Sequence, residues 1–526
     1  MEPKSIDRRI LIMSDLHLGA GTNPNTGQLT PVDEFGQTQT NQWVRLLTNE
    51  WARAAGPRAI ELAKELKQLN VGSPVPLAAL PSLVQDKKYE ITLCLNGDIF
   101  DVLQTCEPHD NREFPDGLKE DGTLANTPAN VIVQLNVVRD GHPEFFRGLA
   151  SHLLLGHRVD LLPGNHDRHL QNDHVWQGSV DVDGKLYHGV VGLIRKELYD
   201  LGASEEQVRD ALSRLNRKPF GIYGDVWVEH GDSSDPFNRS RRPYSEMISP
   251  TPLHHEMSMA LADYGVRRGF NDFEPLDPSL DNYNLDSWDF WSRALAHPFK
   301  TFKLIAAFVS ALSEEGYEQS PEAETQARVA DIQAMVAHVP ELEAKLMAMQ
   351  SETKHSYGDL SDAYARKTFA SKPKRALKDA LEDLERASAR PFTASFPKGS
   401  GVLSRVWDAL TGALDGRSPD ESTKDRFRVL HKQFGINTLI QGHTHKAKDE
   451  DERMGRGQKV RYINTHTWIQ RLGDWGEAKA VWGEDSRGVA VVELSKGGDG
   501  KVHSTSELYR IADASGQLVT GDIRNV

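Results

Sequence analysis

Val159-Asp160-Leu161-Leu162-Pro163-Gly164-Asn165-His166-Asp167 is a short apolar run that ends in three polar side chains able to hold a cation or move a proton. In an open α/β sheet the loops at the carboxyl ends of strands converge on one crevice, where ligands bind. Taken alone, Asn-His-Asp is also an ordinary turn sequence. Four further apolar runs end in the same way. Asp15-Leu16-His17 follows Ile10-Leu11-Ile12, and Gly97-Asp98-Ile99-Phe100-Asp101 follows Ile91-Thr92-Leu93-Cys94-Leu95. His230-Gly231-Asp232 follows Val226-Trp227-Val228, and Gly442-His443-Thr444-His445 follows Asn437-Thr438-Leu439-Ile440.

Together these ends offer Asp15, His17, Asp98, Asn165, His230, His443 and His445. That is an oxygen and nitrogen donor set without thiolate, suited to first-row divalent metals. Asp-x-His and His-x-His put alternate side chains on one face of an extended segment, so both can reach one centre. The accompanying glycines let the backbone turn sharply and come close to an ion.

The chain has 526 residues, long enough for a core with large insertions or for two domains. A hydrophobic fraction of 38% with 26% charged residues belongs to a globular protein and not to a disordered one. With 62 basic against 76 acidic residues the net charge is −14, which argues against a general nucleic-acid coat. Two cysteines, Cys94 and Cys106, read as a buried strand thiol and a loop thiol, not as a disulfide. Residues 1–9 carry no apolar signal core, and no run approaches the ~20 apolar residues needed to span a bilayer. The expectation is a cytoplasmic protein.

Strands alternate with helix-like stretches up to His230, which implies parallel crossovers. Helices are expected near residues 43–51, broken near Pro57 and resuming over 60–66, over 128–155 and over about 192–215. After His230 comes a basic loop with Arg239, Arg241 and Arg242, read either as a solvated charge cluster or as a phosphate contact, for which arginine is well suited. Residues 251–404 leave the βα alternation and carry helical stripes such as Val329, Ile332, Val336 and Val339. They read as an inserted helical cap, or as an arm for a homo-oligomer. The core then comprises residues 1–250 and 405–526, with closing antiparallel strands near 462–465, 488–494 and 503–511.

With all five strand-end blocks present and in order, the chain resembles the calcineurin-like metallophosphoesterases over residues 8–240 and 425–495. The resemblance implies an α/β fold, a four-layer αββα sandwich of two mixed β-sheets flanked by helices, in which the closing strands would complete the second sheet. It implies two divalent metal ions, Mn²⁺ first, with Fe, Ni, Zn or Mg as other candidates. One would be held by Asp15, His17, Asp98 and His445, the other by Asp98, Asn165, His230 and His443. The implied activity is hydrolysis of a phosphomonoester or phosphodiester by attack of a metal-bridging hydroxide. His166 would be the general acid, oriented by Asp101; Asp167 would support the ligands, and Arg168 would contact phosphate. His169, His174 and His466 receive no role.

Departures from the pattern narrow the substrate. The Asp98-to-Asp101 block continues Val102-Leu103 and the fourth block ends in Asp167, unlike the protein Ser/Thr phosphatases. Ser14-Asp15-Leu16-His17-Leu18-Gly19 and His230-Gly231-Asp232 look like the UDP-2,3-diacylglucosamine hydrolases, which typically have Arg at the position of His166 and lack such a cap. A pyrophosphatase of that kind, a nuclease and a non-catalytic scaffold of the same fold are the alternatives.

Overall fold

The structure is a computed structural model that describes residues 6–20, 35–55, 87–105, 114–119, 123–232, 251–257, 435–445, 447–454, 458–468, 487–496, 502–511 and 515–520. It also describes residues 238, 259, 260, 263, 266, 267, 423, 424, 427, 430 and 431. The chain divides into two compact units. The first comprises Met1–Asp232, Met247–Met257 and Phe427–Val526; the second comprises Ser233–Glu246 and Ser258–Arg426. The helical stripes expected in the insertion, and the helix expected to resume near residue 60, lie outside the described residues.

Unit 1 is a mixed α/β body with a seven-stranded and a five-stranded sheet. Four parallel strands, β1 (Arg8–Met13), β2 (Glu90–Asn96), β3 (Arg158–Leu162) and β6 (Leu215–Arg217), lie side by side in the larger sheet. β1, β2 and β3 are buried almost throughout, as expected of strands covered on both faces. The smaller sheet contains β7 (Gly221–Tyr223), β8 (Val226–Val228), β9 (Thr438–Gln441), β10 (Lys448–Met454) and β11 (Gln458–Asn464). Within it β8, β9 and β11 run parallel.

The alternation of strand side chains accounts for the layering. Ile10 and Ile12 of β1 join Val226 and Val228 of β8, Ile440 of β9 and Ile463 of β11 in one apolar cluster between the sheets. Leu11 and Met13 point the other way, into a core with Trp43, Phe145, Phe146 and Leu149. Those residues come from α1 (Gln37–Ala54) and α3 (Pro143–Leu154). Each fully buried Leu, Ile or Phe there contributes about 1.5–3 kcal/mol.

Three sequence expectations are corrected. The helical stretch 128–155 is two helices, α2 (Pro128–Gly141) and α3, because Pro143 cannot continue the backbone ladder. The stretch 192–215 is also two, α5 (Val190–Asp200) and α6 (Glu205–Leu212), the short α4 (Asp173–Gln177) preceding them. Gly202 turns left-handed at the break, and Ser204 with Gln207 forms a capping box that starts α6. The closing strands β12 (Arg487–Lys496), β13 (Val502–Ile511) and β14 (Leu518–Thr520) extend the larger sheet, not the second one. β12 pairs antiparallel with the edge of β1 that β2 leaves open. Near residue 462, β11 does join the second sheet, parallel to β9 and antiparallel to β10. The sequence reading also passes over a hairpin, β4 (Ser179–Val182) and β5 (Lys185–His188), closed by Asp183-Gly184 with both residues at positive φ.

Candidate metal centre

The five strand-end blocks meet in unit 1. The ladder between β1 and β2 runs on past both strands: Asp15 N donates to Gly97 O at 3.0 Å, and His17 N to Asp98 O at 2.9 Å. In the second sheet Gly442 N donates to His230 O at 2.9 Å, so these loops are registered in the same way. Tight geometry accompanies this. Asp15, His17, Asp98, His443 and His445 all have positive φ, which costs a non-glycine residue about 1–2 kcal/mol each. Strain repeated at five members of one cluster persists only where the surroundings enforce it, and such sites are characteristically functional.

The glycines show how closely the loops approach. A Cβ on Gly164 would strike the Asp98 carboxylate and backbone, and one on Gly97 would strike the His230 ring. One on Gly442 would strike Ser14 and Asp15.

The side chains gather into three buried groups, any of which could hold a metal ion: Asp15, His17 and His445; Asp98, His230 and His443; and His17, Asp101 and His166. His445 Nε2 lies 3.2 Å from Asp15 Oδ1. His230 Nε2 lies 3.0 Å from Asp98 Oδ2 and 3.1 Å from Asn165 Oδ1. Asp98 Oδ2 is also 4.0 Å from His17 Nε2, so one carboxylate faces two of the groups.

The hydrogen bonds set the imidazoles for ligation. His230 Nδ1 is 3.0 Å from the Asn96 carbonyl oxygen, and His17 Nδ1 is 3.3 Å from Asp101 Oδ2. Both partners can only accept, so each Nδ1 donates and each Nε2 is left for an ion. Nitrogen and oxygen donors converge there, while Cys94, the described cysteine, lies in the apolar cluster between the sheets. The donor set fits divalent cations.

Burial and mutual charge shape the titration of the cluster without an ion. Burial alone would lower the His230 pKa, but the Asp98 carboxylate raises it to about 10. Burial likewise opposes charge on His166, yet Asp101 and Asp98 carry its pKa up to about 9. Asp101 is held at about 2, against its burial, by His166 and His17. His445 moves the other way, because burial outweighs its contact with Asp15.

His166 Nδ1 lies 3.0 Å from Asp101 Oδ1, and its ring stands edge-on to His17 at 4.7 Å. Asp101 therefore engages two imidazoles, one per oxygen. Arg168 is buried at the start of a short 3₁₀ turn (Arg168–Gln171), with Nε donating to Asn165 O at 3.1 Å. That contact ties Arg168 to the backbone of the Asn165 loop. Arg239, Arg241 and Arg242 lie outside the described residues.

Two supports underlie these loops: Asp167, expected from the sequence to support the ligands, and a segment to which sequence reading gave no role in the site. The Asp167 carboxylate accepts N–H bonds from Gly164 at 2.7 Å, Ile99 at 2.8 Å, Phe100 at 3.2 Å and Asp98 at 3.3 Å, tying the β2 and β3 loops together. The second is Asn464-Thr465-His466-Thr467, at the carboxyl end of β11 beside β9. Its sequence signal is weaker than that of the other blocks, because β11 reads Gln-Lys-Val-Arg-Tyr-Ile-Asn and is not an apolar run. No protein-family model matches the chain, and no curated protein matches it.

Proposed function

We propose that this chain is a dinuclear metal-dependent phosphoesterase with the chemistry of the calcineurin-like family, cleaving a phosphomonoester or phosphodiester. The observation that carries this reading is the position of Asp98, a buried carboxylate facing both His17 and His230. Asp15, His17, Asp98 and His445 would hold one cation, and Asp98, Asn165, His230 and His443 the other. Two divalent cations held there would supply water activated near neutral pH and Lewis-acid stabilisation of charge on the phosphoryl oxygens. Asn165 offers a neutral oxygen, which leaves net positive charge for an anionic substrate.

His166 is the proton donor to the leaving oxygen. Its Nδ1 is committed to Asp101, so Nε2 is the atom that gives up the proton. Asp101 orients it and favours its charged form, while also holding the His17 ring. We infer that helical residues around Phe427 and Leu430, both buried, cover the outer face of the second sheet and make the four-layer sandwich.

A substrate panel tests the reading: bis-p-nitrophenyl phosphate, p-nitrophenyl phosphate, cyclic nucleotides, nucleotide-sugar diphosphates and DNA, each with Mn²⁺. Turnover of a phosphate ester that Asp98→Asn abolishes is expected. No hydrolysis of any member by protein that also fails to take up metal overturns it.

A further inference from the structure

One segment outside the five blocks touches the loops that carry Asp15 and His445. It follows β11, and Thr465 N donates to Gln441 O at 2.9 Å, continuing the parallel ladder with β9. Beyond that point it closes around Asp15. Thr467 Oγ1 and Trp468 N both donate to the Asp15 carbonyl oxygen, each at 2.9 Å. Ser14 Oγ donates to Asp15 Oδ2 and lies 2.5 Å from Thr465 Oγ1. With the serine proton committed to a carboxylate, the threonine hydroxyl donates to Ser14, forming a relay into Asp15.

The same segment holds the His443–His445 loop. Asn464 Nδ2 donates to Gly442 O at 2.6 Å and to Thr444 Oγ1 at 3.1 Å, and Asn464 Oδ1 accepts from His466 N at 3.1 Å. Its backbone is forced: His466 sits at φ 68°, and a Cβ on Gly488 would strike the Thr465 carbonyl. A strained, buried turn whose Asn464, Thr465 and Thr467 side chains are spent on two candidate ligand loops has the form of a positioning device.

The bonds are unevenly distributed between the two proposed cation sites. Those of Asn464 fall on the loop that carries both His443 and His445, whereas those of Thr465, Thr467 and Trp468 converge on Ser14 and Asp15; Asp15 belongs to the group with His17 and His445. We propose that Thr465–Trp468 is a positioning element that acts through Asp15 on the cation site built on Asp15, His17 and His445, and sets its affinity separately from that of the site built on Asn165 and His230. This inference rests on the dinuclear reading above.

The test is Mn²⁺ binding alone, followed by calorimetry and by electron paramagnetic resonance of the coupled pair. Wild type is expected to hold two ions. Thr467→Val should keep one at wild-type affinity and bind the other about 10–100-fold more weakly, with loss of the coupled signal. Thr467→Ser, which restores the hydroxyl, should recover both. Should Thr467→Val fail to fold, Thr465→Val, which removes only the relay hydroxyl, is judged by the same criteria. Two ions in wild type with both sites weakened equally, or neither weakened, overturns the positioning role and leaves the phosphoesterase reading intact. A wild-type protein that binds no Mn²⁺ overturns that reading, and this inference with it.

Discussion

His230 Nε2 lies 3.0 Å from Asp98 Oδ2, although 132 positions separate them in the chain and they belong to different sheets. The contact joins the loop after β2 to the loop after β8. With His17 Nε2 4.0 Å from the same oxygen, Asp98 is the meeting point of the cluster.

Replacing Asp98 with Asn should therefore damage both cation sites at once. Elemental analysis after Mn²⁺ reconstitution is expected to fall from close to two ions per chain to one or fewer. His445→Ala, which touches one group, should lose less. An Asp98→Asn protein that retains two tightly bound ions would show that the carboxylate is not shared.

His166→Ala should leave metal content unchanged while slowing hydrolysis of esters with poor leaving groups by about 10²–10⁴-fold, the usual range for general-acid catalysis. With p-nitrophenolate, which needs little protonation, the loss should shrink. Equal losses across a series of leaving-group pKa values would assign His166 to phosphate positioning instead.

Asp167→Asn exchanges one acceptor oxygen for an amide donor in front of four backbone N–H groups. A buried donor left unpaired costs about 1–3 kcal/mol. Chemical denaturation is expected to show a loss of at least that size, and hydrogen exchange should speed up at Ile99 and Phe100. Unchanged protection at those two amides would mean that the carboxylate does not clamp the loops.

Acid sensitivity should come in part from the amino ends of the same strands. His152 Nδ1 accepts from Trp51 Nε1 at 2.9 Å, and His157 Nδ1 accepts from Ile91 N at 3.2 Å, so both rings are held neutral. Burial lowers the His152 pKa to about 3, and burial with His152 and Lys87 nearby lowers that of His157 well below the usual value. Folded pKa values below the unfolded one of about 6.5 mean that the unfolded chain binds more protons under acid. The stabilisation is thus complete above pH 6.5 and declines as pH falls toward the folded pKa values, by about 1.4 kcal/mol per unit for each ring. His152→Gln, which can still accept from Trp51, should flatten the dependence between pH 6.5 and 4. Equal acid limbs for variant and wild type would remove His152 from the account.

The candidate ligand residues were legible because each sits within a few positions of the strand that delivers it. An apolar run that ends in Gly and a metal-binding side chain is local information, and period-two alternation carries it to the face of the sheet. Helix breaks at Pro143 and Ser204 were equally local and could have been read from the proline and the capping box. Tertiary structure alone decided that β12 to β14 extend the larger sheet, because a strand's pattern does not name the edge on which it pairs. It alone decided that Asp167 faces the backbone of the neighbouring loop, and that Thr467 grips Asp15 from 452 positions away. Hydrogen bonds of that span leave no periodicity in the chain; they arise only when separate strands bring their ends together.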